Sequence, residues 1–175
     1  VNLPGWHEEP VAKAHDRDAF DCGDADLNVF LRRYARQSHE MNASKTFCAI
    51  SDAQPDRVLG FYTLAPASVE YAEVPSHMTR RLARHEVPGF RLARLAVDVS
   101  VAGMGLGGQL LAAAALRCLR LANAGGGLLL VIDAKSDRAA AWYQAFGAEP
   151  LQDSPLTLVI PLAVFVPGLK AKGLL

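Results

Sequence analysis

The chain has 175 residues, 18 basic and 18 acidic side chains, and a hydrophobic fraction of 51%. Residues 1–175 are therefore expected to form one soluble globular domain with a sizeable core. Zero formal charge argues against a protein that coats nucleic acid indiscriminately, and with neither an apolar run of membrane-span length nor a secretory signal in residues 1–10, no membrane and a cytoplasmic site are expected.

Asp24 is placed to cap a helix whose apolar residues Leu27, Phe30, Leu31 and Tyr34 follow i, i+3, i+4, i+7 spacing; Arg32, Arg33 and Arg36 fall off that stripe, toward solvent. Strands are predicted over 46–51 and 58–64, joined by a turn over 52–56. Ser76 is expected to cap a short helix through Arg84, and Pro88-Gly89 to end that excursion. A strand over 91–99 then feeds a glycine loop. The next helix is predicted from 107 or 108 to 122, with Leu110, Leu111, Ala114, Ala115, Cys118 and Leu121 inward, and Gly125-Gly126-Gly127 to stop it. The apolar run 128–133 reads as a buried parallel strand. Ser136 or Asp137 should cap a last helix with Ala139, Trp142, Tyr143 and Phe146 on one face and Gly147 closing it. A final strand over 156–165 carries Pro161, which predicts a position near an edge or a bulge. The sum is a mixed α/β layer with one parallel pair in the middle.

Four glycines, Gly103, Gly105, Gly107 and Gly108, sit within six residues at the strand-to-helix junction. Peptide N–H groups without bulky side chains, at a helix N-terminus, cradle a phosphate-bearing ligand. No Lys-Ser or Lys-Thr follows, which excludes a Walker A loop. Gly103, Gly105 and Gly108 do match a dinucleotide fingerprint, with Asp133 near the end of the next strand. Against a nicotinamide enzyme stand the late position of the motif, the single βαβ unit, and a spacing to the acid beyond the usual ~20 residues. Glycines kept only for helix–strand packing are the plainer alternative, but four so close together exceed what packing requires.

Strand, glycine loop, helix and strand in mid-chain resemble the acyl-CoA site of the GNAT N-acetyltransferase superfamily. With Asp21-Cys22-Gly23-Asp24, Leu27, Leu31, Thr46-Phe47, Gly60-Phe61-Tyr62-Thr63-Leu64, Arg94-Leu95-Ala96-Val97-Asp98, Gly105-Leu106-Gly107 and Ala141-Trp142-Tyr143-Gln144-Ala145-Phe146-Gly147, the chain resembles the branch of tRNA-acetylating toxins. The resemblance spans roughly 16–166. It implies a GNAT fold, a mixed central sheet with a splayed parallel pair flanked by helices. It also implies acetyl-CoA as cosubstrate, aminoacyl-tRNA as acceptor, a ribbon-helix-helix antitoxin whose tail covers the active site, and a homodimer. Leu95, Ala96 and Val97 are implied to take the pantetheine amides as an added half-strand, with the Val97 N–H serving the developing oxyanion. Gly103, Met104, Gly105, Leu106, Gly107 and Gly108 are implied to hold the diphosphate. The superfamily loop usually begins with Gln or Arg; here that position is Ala102, one side-chain contact fewer.

On spacing alone, Tyr143 reads as a core residue beside Phe146; the resemblance makes it the general acid for the departing thiolate. A phenol near pKa 10 serves a thiol near 8.5 only if it is acidified or the thiolate is poorly solvated. Trp142 is a packing residue. No carboxylate or histidine stands out as a base, which suits an α-amine titrating near 7.7–8.0 better than a lysine near 10.4. His77, Arg80, Arg81, Arg84, His85, Arg91 and Arg94 form the densest cationic stretch. On a helix His77, Arg81 and Arg84 would share a face, and Arg80, Arg81, Arg84 and Arg91 are the expected contacts to tRNA, extended by Lys45 and Arg36. A solvated helix face with structural ion pairs is the alternative. Arg94 is expected to be buried and paired with Asp98 or another acid, and His7, His15 and His39 to lie at the surface. Neither these histidines nor the separated thiols Cys22, Cys48 and Cys118 have metal-ligand spacing, so no metal is expected and the thiols are expected to be reduced and mostly buried. Rival readings are an acetyltransferase of small amines or protein N-termini, and a non-catalytic GNAT-fold binding module.

Overall fold

Asp24 caps the first helix as its position predicts: its Oδ1 accepts from the Leu27 N–H at 3.1 Å. In the computed structural model, which describes residues 2–175, helix α1 (Ala25–Val29) passes through a π-helical turn, Phe30–Tyr34, into α2 (Ala35–Glu40). Within that turn the Ala35 N–H donates to the Phe30 carbonyl five residues back. The wider turn moves the apolar stripe: Phe30 and Leu31 stay buried, Tyr34 is 54% exposed, and Ala35 takes the core position with no exposure. The expected inward Tyr34 is thus corrected. Arg17 Nη1 braces the turn by donating to the carbonyls of Leu31 at 3.4 Å and Arg32 at 3.1 Å.

Strands β2 (Lys45–Ser51) and β3 (Val58–Val69) form the expected hairpin, and β1 (Trp6–Pro10) adds antiparallel to β2 with Trp6 opposite Ser51 and Pro10 opposite Phe47. The sequence reading missed β1 because Trp-His-Glu-Glu-Pro shows no apolar alternation; its pairing to β2 supplies what its composition does not.

Strand β4 (Val87–Val97) starts earlier than expected, so Pro88-Gly89 lies inside a strand and does not end an excursion. The reason is close approach: a Cβ on Gly89 would lie 2.3 Å from the Leu129 carbonyl oxygen. Gly89→Ala is therefore expected to destabilise the protein by about 3 kcal/mol, the upper end of typical overpacking costs; a lowered denaturant midpoint at unchanged slope would report it. Upstream, the helix expected over 76–84 does not form. Only a 3₁₀ turn, Ser76–Met78, is present, no side chain caps it, and Arg81 adopts φ +69°. Met78 and Leu82 pack against the core, an anchorage that local turns satisfy without a helix.

Helix α3 (Leu106–Gly125) buries Leu110, Leu111, Ala114, Ala115 and Cys118 as expected, whereas Leu121 is half exposed. Strand β5 (Leu129–Asp133) runs parallel to β4, and Ser136 Oγ accepts from the Ala139 N–H at 3.1 Å to start α4 (Asp137–Gln144). Its buried residues are Ala140 and Tyr143; Trp142 and Phe146 are 38% and 39% exposed. The end of the chain differs from expectation. Strands β6 (Glu149–Leu151) and β7 (Ser154–Pro161) form a hairpin, then a 3₁₀ turn leads into α5 (Val166–Ala171), which carries a proline in its first turn. β7 lies next to the edge strand β6, near the edge as Pro161 predicts, and β6 pairs with it only as far as Glu149 opposite Val159, so Pro161 stands beyond that partner. The sheet order is β1-β2-β3-β4-β5-β7-β6, mixed, with β4 and β5 the parallel pair.

The described residues gather into two compact units. One takes the chain up to Ala65 with Ala93–Ala113, the other Pro66–Leu92 with Ala114–Leu175, and β3, β4 and α3 run through both. The first packs Phe20, Phe30, Leu31, Cys48, Phe61 and Ala96 into its core; the second packs Val69, Val87, Leu129, Val131, Leu151 and Val159. The thiols are free, Cys48 and Cys118 buried and Cys22 half-buried, and burial pushes Cys48 and Cys118 up to about 12. His15, expected at the surface, is buried, its Nδ1 accepting from the Ala12 N–H at 3.1 Å. No helix among the described residues is long and apolar enough to cross a membrane.

Candidate active site

Pairing of β4 with β5 extends from Gly89 opposite Leu129 to Leu92 opposite Ile132, yet β4 continues to Val97. Leu95, Ala96 and Val97 thus run beyond their β5 partner, and a strand edge of this kind offers its peptide groups to an extended ligand. Immediately after it the Asp98 N–H donates to the Leu59 carbonyl at 2.8 Å.

The buried Asp98 carboxylate ties this strand end to its surroundings. Its Oδ2 accepts from the Asp21 N–H at 3.0 Å, and its Oδ1 from the Ser100 N–H at 3.0 Å and the Ser100 hydroxyl at 2.6 Å. In return, the Val99 N–H donates to the Asp21 carbonyl at 2.8 Å. Asp98 is therefore a positioning residue that the sequence reading did not assign; the Asp-Val-Ser order, an Asx turn, was its signal. Arg94, expected to be buried and paired with an acid, is half-buried and lays its guanidinium over the Phe30 ring, 3.6 Å from the centroid.

A 3₁₀ turn, Val99–Val101, leads to Ala102 and the glycines. Gly103 and Gly105 adopt φ +75° and +90°, and a Cβ on either would meet nothing within 4 Å. Close packing is therefore not their purpose at these two positions: they permit the turn and leave open space beside the backbone. Leu106 is buried at the start of α3, and the first bond of the helix runs from the Gln109 N–H to the Gly105 carbonyl at 3.3 Å. The N–H groups of Gly105, Leu106, Gly107 and Gly108 precede any intrahelical acceptor and carry the positive end of the helix dipole. Met104 differs, since its N–H donates to the Val101 carbonyl at 3.3 Å. These residues fit a diphosphate. A cleft of about 630 Å³ lined by Asp16, Phe20, Pro55, Asp56, Arg57 and Asp98 includes no glycine-loop residue, and its carboxylates disfavour an anion.

In the second unit, Tyr143 is 7% exposed and rests edge-on against Trp142, ring centroids 4.9 Å apart. Burial pushes its phenol up to about 12. Of the two conditions for proton donation to a thiolate, acidification is therefore absent, and poor solvation of the thiolate is the one left. Arg80, Arg81 and Arg84 are exposed on the irregular segment before β4, none of them paired with an acid among the described residues. Their neighbours are engaged: His77 Nε2 lies 2.7 Å from Glu149, and Arg91 Nη1 lies 2.6 Å from Asp133. Asp133, the acid weighed for a ribose, is thereby accounted for. No cluster of three or more metal-ligating side chains occurs among the described residues.

No family model matches the chain. It is, however, 35% identical over 150 residues to a tRNA-acetylating toxin of Mycobacterium tuberculosis, covering 86% of this chain and 88% of that protein. Among solved structures it is similar to AtaT complexed with acetyl-methionyl-tRNAfMet, with a TM-score of 0.86 and 26% identity over 93% of this chain and 98% of AtaT. It is also similar to a tyrosine-to-phenylalanine variant of AtaT bound to acetyl-CoA and the C-terminus of the antitoxin AtaR, with a TM-score of 0.79 and 26% identity over 91% of this chain and 95% of the other.

Proposed function

Because the chain belongs to the family of tRNA-acetylating toxins, we propose that it transfers acetyl from acetyl-CoA to the α-amine of an aminoacyl-tRNA and thereby blocks translation. The observation that carries this reading is the glycine loop: two left-handed glycines with open space where a Cβ would stand, ahead of helix N–H groups that have no intrahelical acceptor.

Acetyl-CoA supplies an activated thioester. The chain's own residues do the rest. Gly105, Leu106, Gly107 and Gly108 bind the diphosphate through N–H groups, without a Met104 contribution and without a side chain at Ala102. Leu95, Ala96 and Val97 pair with the pantetheine amides, and the Val97 N–H faces the developing oxyanion. Tyr143 holds its proton throughout the physiological range and gives it to the leaving sulfur. No general base is assigned, because an aminoacyl α-amine is partly neutral at cellular pH and water can take its proton. Arg80, Arg81 and Arg84 supply phosphate contacts, while Arg91 is held by Asp133 and contributes less. The partners in this reading are a ribbon-helix-helix antitoxin and a second copy of the chain; the similar AtaT variant is bound to the C-terminus of an antitoxin, AtaR.

Mass spectrometry of charged tRNA after incubation with the protein and acetyl-CoA tests the reading, a mass gain of one acetyl group on the aminoacyl moiety being the expected product. Reversing Arg80, Arg81 and Arg84 to Glu should reduce acetylation of charged tRNA by about 100-fold or more at 0.15 M salt, since several phosphate contacts are lost together. A small amine should be unaffected. Equal loss on both substrates, or acetylation of the small amine alone, would overturn it.

A further inference from the structure

The π-helical turn displaces Tyr34 from the core stripe on which its spacing places it. Ala35 fills the buried position and the Tyr34 ring stands 54% exposed. Around the ring the helix carries Arg32, Arg33 and Arg36; Arg33 is exposed, and neither Arg32 nor Arg33 is paired with an acid among the described residues. Arg36 is bonded to Glu40 at 3.0 Å, an exposed pair that water and salt weaken. In a chain of zero net charge, three arginines within five residues around one outward aromatic are a local departure. The turn is also anchored to the strand of the proposed site. Phe30, its first residue, lies under the Arg94 guanidinium, and Asp21, just ahead of α1, is bonded to Asp98 and Val99. Helices that carry a π turn often do so at functional positions.

We propose that Tyr34 is a stacking platform for an unpaired base at the 3′ end of the acceptor RNA, with Arg33 and Arg32 on the adjoining phosphates. Unpaired bases are recognised by aromatic faces flanked by cations, and the stacking is tolerant of base identity. The charged end of a tRNA is single-stranded, so such a platform binds the segment next to the reacting amine; the duplex stem would use phosphate contacts alone. This inference rests on the reading of charged tRNA as the acceptor.

The test is tRNA binding by fluorescence anisotropy without acetyl-CoA, using intact tRNA and the same tRNA lacking its unpaired 3′ nucleotides. Tyr34→Ala should weaken binding of intact tRNA about 10-fold, in the range for loss of one stacked base, and leave the truncated tRNA unchanged. Tyr34→Trp should bind as well as the parent and show indole quenching with intact tRNA only. An equal effect of Tyr34→Ala on both RNAs, no effect on either, or loss of antitoxin binding with tRNA unaffected overturns the proposal. Binding that depends on the 3′ end, without acetylated product, would retain the platform and remove the transferase reading; full acetylation by Tyr34→Ala would do the reverse.

Discussion

Replacing Gly105 by valine is expected to raise the dissociation constant for acetyl-CoA at least about 100-fold while the protein still folds. Two effects act in the same direction. At φ +90° an L-residue costs about 1–2 kcal/mol, a strain relieved only by moving the turn that aims the following N–H groups. A branched side chain would also occupy the open space beside the loop, where now nothing lies within 4 Å of the Cβ position. Removing even part of a set of anion-binding N–H groups loses charge-assisted hydrogen bonds. Calorimetric titration with acetyl-CoA measures the loss of affinity, and a thermal melt shows that the variant still folds. Wild-type heat from Gly105→Val would mean that the diphosphate is bound elsewhere, and the site would have to be redrawn.

Tyr143→Phe is expected to lower kcat by about 10²–10⁴-fold, the usual worth of a positioned general acid, with acetyl-CoA affinity unchanged. Phenylalanine keeps the ring that packs against Trp142, so the loss would not be one of packing. The pH dependence separates proton donation from other roles. With the phenol pushed up to about 12, Tyr143 stays protonated across any practical assay range. A rise in rate through pH 7–8 then belongs to the acceptor amine, and the deficit of the Phe variant should be constant from pH 6 to 9. A deficit that changes steeply in that window would remove Tyr143 from the role. For stability the direction is also determined. The folded value lies above the unfolded one, near 10, so this group's contribution is complete below pH 10 and is lost as pH rises through about 12.

The route to the site was legible in the residues wherever the signal was local. Asp24 and Ser136 cap their helices because a short acceptor side chain ahead of an apolar-periodic run has one good use. The apolar run before Asp133 is a parallel strand because only burial on both faces tolerates that composition. The glycine loop announced itself because left-handed backbone beside open space tolerates little else.

Other features depended on distant parts of the chain. Gly89 reads as a turn residue until Leu129 is seen against it, and nothing near Arg94 in the chain announces that its guanidinium lies over the Phe30 ring. The helix expected over 76–84 rested on Ser76 as a cap, and the segment instead forms local turns with Met78 and Leu82 packed against the core. The sequence by itself determined the mixed α/β class, the glycine loop at the strand-to-helix junction and the cationic stretch, since each rests on residues adjacent in the chain. Only tertiary structure decided that Tyr34 faces solvent, that Asp98 knots the strand end and that Arg91 is engaged by Asp133. Each of those depends on a partner or a backbone irregularity whose energy comes from packing, which composition and period do not encode.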